Sequence, residues 1–199
     1  MTAQRRLPLP PMTLDEFFAW DGGGHVGKLE LVDGYVRAMA PASATHSLIQ
    51  GNIVTAIKNH LRGTGSRCRA APEAPVLPPL HQKQNARAPD VAVTCAPRSD
   101  SKVFEDPILI VEVMSPSNEV ETWETITALA ALVSLKEILV VRSTSVEARV
   151  FTRNAAGGWP SEPSVVTVGG MIRLTCIDLD LPIAEAYRDT HLEPGTGSV

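Results

Sequence analysis

Two stretches decide the fold: Ala88-Pro89-Asp90-Val91-Ala92-Val93 and Ile108-Leu109-Ile110-Val111-Glu112-Val113. Each is a strand-length apolar run carrying one acidic residue, which reads as a buried β-strand. An ionised carboxylate among apolar neighbours is costly unless it is paired or binds a metal. Two of them, Asp90 and Glu112, on strands that are candidates for neighbours, point to a site for a hard divalent cation. Glu112 is the harder to explain by local structure alone, because apolar residues precede it without a break; Asp90 after Pro89 also suits a strand cap.

Working outward, Thr13-Leu14-Asp15-Glu16 is a capping box that opens a short helix, and Gly22-Gly23-Gly24 ends it. Lys28–Val32 and Tyr35–Met39 flank Asp33-Gly34, the signature of a two-residue hairpin. Alternation places Lys28, Glu30 and Val32 on one face. From about Thr45 to Arg62, Leu48, Ile49, Ile53, Ile57 and Leu61 recur at helical spacing, with His46 and Gln50 on one side near its start. The stretch 71–88 holds four prolines and supports at most a short edge strand. Strands are expected at 89–95 and 107–113, a helix from Glu119 to Val133, and strands at 137–142 and 146–152. Val165–Val168 and Met171–Leu174 read as a closing hairpin across Gly169-Gly170, and Pro182–Arg188 as a last short helix. The order implies an α/β (α+β) domain with a central mixed sheet flanked by helices. The expected layout is a flexible arm at 1–11, a single domain at 12–190 and a flexible tail at 191–199.

Composition narrows the function. The chain has 199 residues, 44% hydrophobic and 20% charged, with a net charge of −4. That is a globular composition. It argues against a strongly basic nucleic-acid binder but not against a nuclease, whose bound metal supplies local positive charge. No apolar run reaches the length of a membrane span, and the N-terminus lacks the apolar core of a secretion signal, so a cytoplasmic location and no membrane partner are expected. Cys68, Cys95 and Cys176 are widely spaced and odd in number, and read as small buried hydrophobes rather than a disulfide framework. His25, His60, His81 and His191 show no metal-ligand spacing. Ser115-Pro116-Ser117 reads as turn chemistry rather than a nucleophile.

Several of these strings together resemble the Uma-type family of putative restriction endonucleases, within the PD-(D/E)XK nuclease superfamily. They are Glu30-Leu31-Val32-Asp33-Gly34, His46 opening a helix, Ala88-Pro89-Asp90-Val91, and Ile110-Val111-Glu112-Val113-Met114-Ser115-Pro116-Ser117. The resemblance runs from about Thr13 to Tyr187. It implies a restriction-endonuclease-like core and Mg²⁺-dependent phosphodiester hydrolysis in DNA, with Mn²⁺ as the alternative ion. Asp90 matches the Asp of the family's Pro-Asp motif and Glu112 its second acidic residue, the two metal ligands; Glu30 and His46 match its supporting catalytic residues. The chain departs from the pattern at the catalytic lysine. The superfamily position, two residues after Glu112, is Met114, and the helix stretch 121–127 holds neither Lys nor Arg. Lys28, on the face of Glu30, is the best substitute, and Lys136 is read as a helix cap. A catalytically silent binding or assembly module is therefore the alternative. A homodimer is expected, because cutting two strands calls for two sites and the late hairpins leave sheet edges to cover.

Overall fold

The structure is a computed structural model, and it describes residues 5–25 and 27–194. In chain order the elements are β1 (Arg5–Arg6), α1 (Leu14–Ala19), β2 (Leu29–Val32), β3 (Tyr35–Ala38), α2 (Ala44–Gly63), β4 (Arg69–Pro72), β5 (Val91–Thr94), β6 (Pro107–Met114), α3 (Glu119–Ala130), β7 (Glu137–Arg142), β8 (Glu147–Thr152), β9 (Ser164–Thr167), β10 (Met171–Leu174), β11 (Leu179–Pro182) and α4 (Ile183–Ala186).

A six-stranded sheet, ordered β4-β5-β6-β7-β8-β9, forms the centre. Every pair is antiparallel except β6–β7. That parallel pair needs a crossover, and α3 provides it. Both faces of the sheet are covered, which is why β5 and β6 read as nearly continuous apolar runs. On one face Ile49, Ile53 and Ile57 of α2 pack on Val91, Val93, Val111 and Val141. On the other, Ile126 and Leu129 of α3 pack on Ala92, Ile110 and Val140. Truncating one of the fully buried isoleucines to Ala costs about 2 to 5 kcal/mol.

The hairpin β2–β3 turns on Asp33 and Gly34, both at positive φ (50° and 84°), as a two-residue loop between twisted strands requires. Leu31 pairs with Ala86 in an isolated bridge, so β2 runs alongside the chain leading into β5. The opening segment, expected as an arm, joins this layer: Arg5–Arg6 pair with β3, and Leu7 is buried beside Leu31 and Val36. Met1–Gln4 of that arm, and residues 195–199 of the expected tail, lie outside the described residues. The capping box of α1 is present, with Thr13 N–H donating to Glu16 at 2.7 Å and Glu16 N–H donating to Thr13 at 3.3 Å.

Three expectations are corrected. β9 and β10 do not form a hairpin together: β9 pairs with β8, while β10 pairs with β11. Ile172, Leu174, Leu179 and Leu181 are buried along that second pair, and the alternation at 179–182 was a strand signal outside the expected elements. Cys68 and Cys95 form a disulfide rather than serving as separate hydrophobes. The register of edge strand β4 on β5 sets Arg69 opposite Thr94 and so brings the flanking cysteines together. Finally, Arg153 and the Trp159 indole, not Lys136, donate to the terminal carbonyl of α3, that of Ala130.

Candidate metal centre

Asp90 sits one residue before β5. The β5–β6 register pairs Val91 with Val111, and carried one step further it sets Asp90 opposite Glu112. Directly opposed residues of an antiparallel pair share a face. At this point the Asp90 side chain replaces a ladder bond: its Oδ2 accepts from Val113 N–H at 2.7 Å.

Three elements converge on Asp90. Because β2 lies along 86–90, Lys28, just ahead of β2, reaches the carboxylate, its Nζ donating to Oδ1 at 3.2 Å. His46, in the first turn of α2, places Nε2 at 3.2 Å from Oδ2. Gln50, one turn on, donates to the Asp90 carbonyl at 2.9 Å. The shared side of His46 and Gln50 is thus the side turned to this site. Ser43, the N-cap of α2, accepts from His46 N–H and fixes that first turn.

The electrostatics separate the two acids. Burial works against ionising Asp90, but the His46 hydrogen bond, the Lys28 charge and the Val113 N–H outweigh it and hold its pKa at about 2. Glu112 is buried too, and its pKa is raised well above the ordinary carboxylate range by that burial and by the charge of Asp90. Its Oε1 is enclosed and, among the described residues, has no hydrogen-bond partner. Burial alone would lower the pKa of Lys28, but the carboxylates of Asp90, Glu112 and Glu30 push it upward. The ammonium therefore stays charged at neutral pH and cannot serve as a general base.

Glu30 lies close by with both oxygens engaged. Arg37 Nη2 donates to Oε2 at 2.6 Å, and Ala88 N–H to Oε1 at 3.0 Å. Arg37 also donates to Glu124 of α3 at 2.7 Å and ties the hairpin to the helix. Asp90, Glu112, Lys28 and His46 are thus brought together, while Glu30 braces the segment before Asp90 through Ala88. Arg37 and Gln50 went unassigned by sequence; the spacing of Gln50 from His46 was the available signal for one, and the pairing of Glu30 with Arg37 across β2–β3 was fixed only by register.

The donor set suits Mg²⁺, which takes one or two carboxylates and completes its shell with water and phosphate oxygens. The unpartnered Glu112 oxygen is the feature that fits a cation. Among the described residues no group of three or more His, Cys, Asp or Glu side chains is set to hold a metal, so the site rests on the Asp90–Glu112 pair. Among the same residues no helix is long and apolar enough to cross a membrane.

Comparison with known proteins sets the chain beside a family, a curated protein and a solved structure. The Uma2 family, described as "Putative restriction endonuclease", matches residues 14–179. An uncharacterized protein of Synechocystis sp. is 33% identical over 155 residues, covering 76% of this chain and 80% of its own. The crystal structure of a putative nuclease belonging to DUF820 from Anabaena variabilis superposes with a TM-score of 0.70 at 18% identity, covering 89% of this chain and 98% of that one. The last likeness bears on the fold alone.

Proposed function

The chain belongs to the Uma2 family, and with that as the starting point we propose that it is a divalent-metal-dependent endonuclease that hydrolyses phosphodiester bonds in DNA. The observation that carries this is the enclosed, unpartnered Oε1 of Glu112 opposite Asp90. Native proteins rarely leave a buried acceptor unsatisfied without a use for it.

Asp90 and Glu112 would hold Mg²⁺, or Mn²⁺ in its place. Such an ion lowers the pKa of a bound water and offsets charge on the phosphoryl group. The chain's own residues do the rest. Lys28 supplies a fixed positive charge where the phosphoryl oxygens gain negative charge, and so takes the part of the lysine absent at position 114. His46 and Val113 N–H orient Asp90 from two sides. Glu30, through Arg37 and Ala88, keeps the Asp90 segment in place. A homodimer and a cytoplasmic setting accompany this reading. In a thiol-rich cytoplasm Cys68 and Cys95 would be held reduced.

A silent binding module remains the second reading, favoured by one observation: both oxygens of Asp90 already accept protein hydrogen bonds. Plasmid nicking in Mg²⁺ or Mn²⁺ decides between them. The wild type is expected to nick, and Asp90→Ala, Glu112→Gln and Lys28→Met each to lose about 100-fold or more. Equal nicking by all four proteins would expose a contaminant and remove the enzyme reading. Light scattering that shows only a 21.3 kDa species would remove the dimer.

A further inference from the structure

Between the β2–β3 hairpin and α3 lies a groove of about 740 Å³ that the acidic pair does not use. Three arginines, Arg6, Arg37 and Arg87, line it together with the rings of Tyr35 and Trp123. Two carboxylates, Asp33 and Glu124, also line it, but both are engaged. Asp33 accepts from Asn85 at 3.1 Å, and Glu124 accepts from Arg37.

Arg87 is the unusual member. It is 6% exposed, yet among the described residues its side chain makes one hydrogen bond, Nη1 to the Leu31 carbonyl at 3.2 Å, and its Nε has no acceptor. Burial lowers its pKa, and the nearby carboxylates do not restore it. Among the described residues no carboxylate forms an ion pair with this buried guanidinium, which leaves donors of its fork for an anion. Arg37 adds a second Nε without a partner. Arg6 lies over the Tyr35 ring at 4.4 Å, at the open side of the groove.

Two of its arginines connect to the segment that carries Asp90. Arg87 is three residues before Asp90, and Arg37 and Ala88 clamp Glu30 between them. Guanidinium forks beside two half-buried aromatic rings suit a nucleic-acid strand, with phosphates on the arginines and bases against the rings. We propose that this groove seats a DNA strand, with one phosphate on Arg87, and so delivers the backbone to the Asp90–Glu112 pair. The inference rests on the nuclease reading for its substrate.

The test is fluorescence anisotropy of the full chain with a labelled DNA single strand of about 20 nucleotides, in EDTA so that no cleavage occurs. Arg87→Ala is expected to weaken binding at least tenfold and to make the fall of affinity with salt shallower by about one ion, as for a lost phosphate contact. Arg6→Ala, on an exposed side chain whose loss leaves the core intact, is expected to weaken binding about threefold with a similar change of slope. Arg87→Lys should recover part of the affinity lost in Arg87→Ala, since the charge remains and the fork does not. Wild-type affinity and slope in both alanine variants would overturn the proposal, as would no binding by the wild type. If those variants bind and nick normally while Glu112→Gln does not nick, the groove is wrong and the nuclease stands. If the wild type never nicks but the arginine variants lose binding, the groove stands and the nuclease falls.

Discussion

Glu112 and Glu137 lie near opposite ends of the same parallel strand pair, and they are opposites in chemistry. Both are buried. Glu137, at the start of β7, has every oxygen satisfied: Oε1 accepts from Thr152 Oγ1 at 3.0 Å, Thr175 Oγ1 at 2.6 Å and Thr175 N–H at 3.1 Å, and Oε2 from Cys176 N–H at 2.9 Å. Burial opposes its ionisation, but the Cys176 and Thr175 donors outweigh it and bring its pKa below the usual value. Glu112 is buried as well, and that burial together with the charge of Asp90 moves its pKa the other way; its Oε1 has no donor among the described residues. Glu137 is a knot that binds the segment entering β11 to the sheet. Glu112 keeps an enclosed oxygen with no donor among the described residues. Burial of a carboxylate does not mark a site; unmet demand does.

The largest test of that contrast is Glu137→Ala. It removes the acceptor of four hydrogen bonds, one from Thr152, two from Thr175 and one from Cys176, and should cost about 3 to 5 kcal/mol in urea unfolding. A loss below about 1 kcal/mol would show that the knot carries no weight. Lys28→Met should cost about 2 kcal/mol, because Asp90 keeps its charge and loses its ammonium. In a carboxyl-carbon NMR titration the same change should lift Asp90 from about 2 and lift Glu112 further still, since Lys28 lowers both.

A smaller effect separates the two acids by ligand. At about ten times its Kd, Mg²⁺ should stabilise the wild type by about 1.4 kcal/mol. Glu112→Gln should abolish that gain in a thermal melt, while Glu137→Gln keeps it in whatever fraction remains folded. The smallest effect is in pH. Glu137, with its pKa lowered, contributes stability above its unfolded value of 4.5, and this is lost as pH falls through its folded value. Glu112, with its pKa raised, does the reverse: above 4.5 the unfolded chain releases its proton first, and stability falls as pH rises towards the folded value. Metal-free Glu112→Gln should therefore flatten the curve on the neutral side, and Glu137→Gln on the acid side.

Much of the fold was legible because the code that writes it is local. Ile49, Ile53 and Ile57 announce α2, Asp33-Gly34 announces the hairpin, and 137–142 coincides with β7 residue for residue. The β9–β10 error has a local cause as well: Gly169-Gly170 looks like a hairpin turn, but the partner of β10 is chosen by the buried leucines of β11. The disulfide and the Lys28–Asp90 contact depend on register between distant segments, which no single window contains. Strand alternation put Lys28 beside Glu30 on one face; only the Leu31–Ala86 bridge reveals that this face meets Asp90. Glu137 was invisible as anything but a strand residue, because its donors come from 152, 175 and 176.

The Lys28–Asp90 contact spans 62 positions of the chain. Loop closure over that distance comes before the contact, so Lys28 meets Asp90 only once the hairpin has docked. A fragment that begins after the hairpin would contain the six central strands but lack the ammonium that meets Asp90. Residues 39–43, the short link between hairpin and helix, thus separate the ammonium from the carboxylate it meets, and after a cut there only docking contacts such as the Leu31–Ala86 bridge hold the two together.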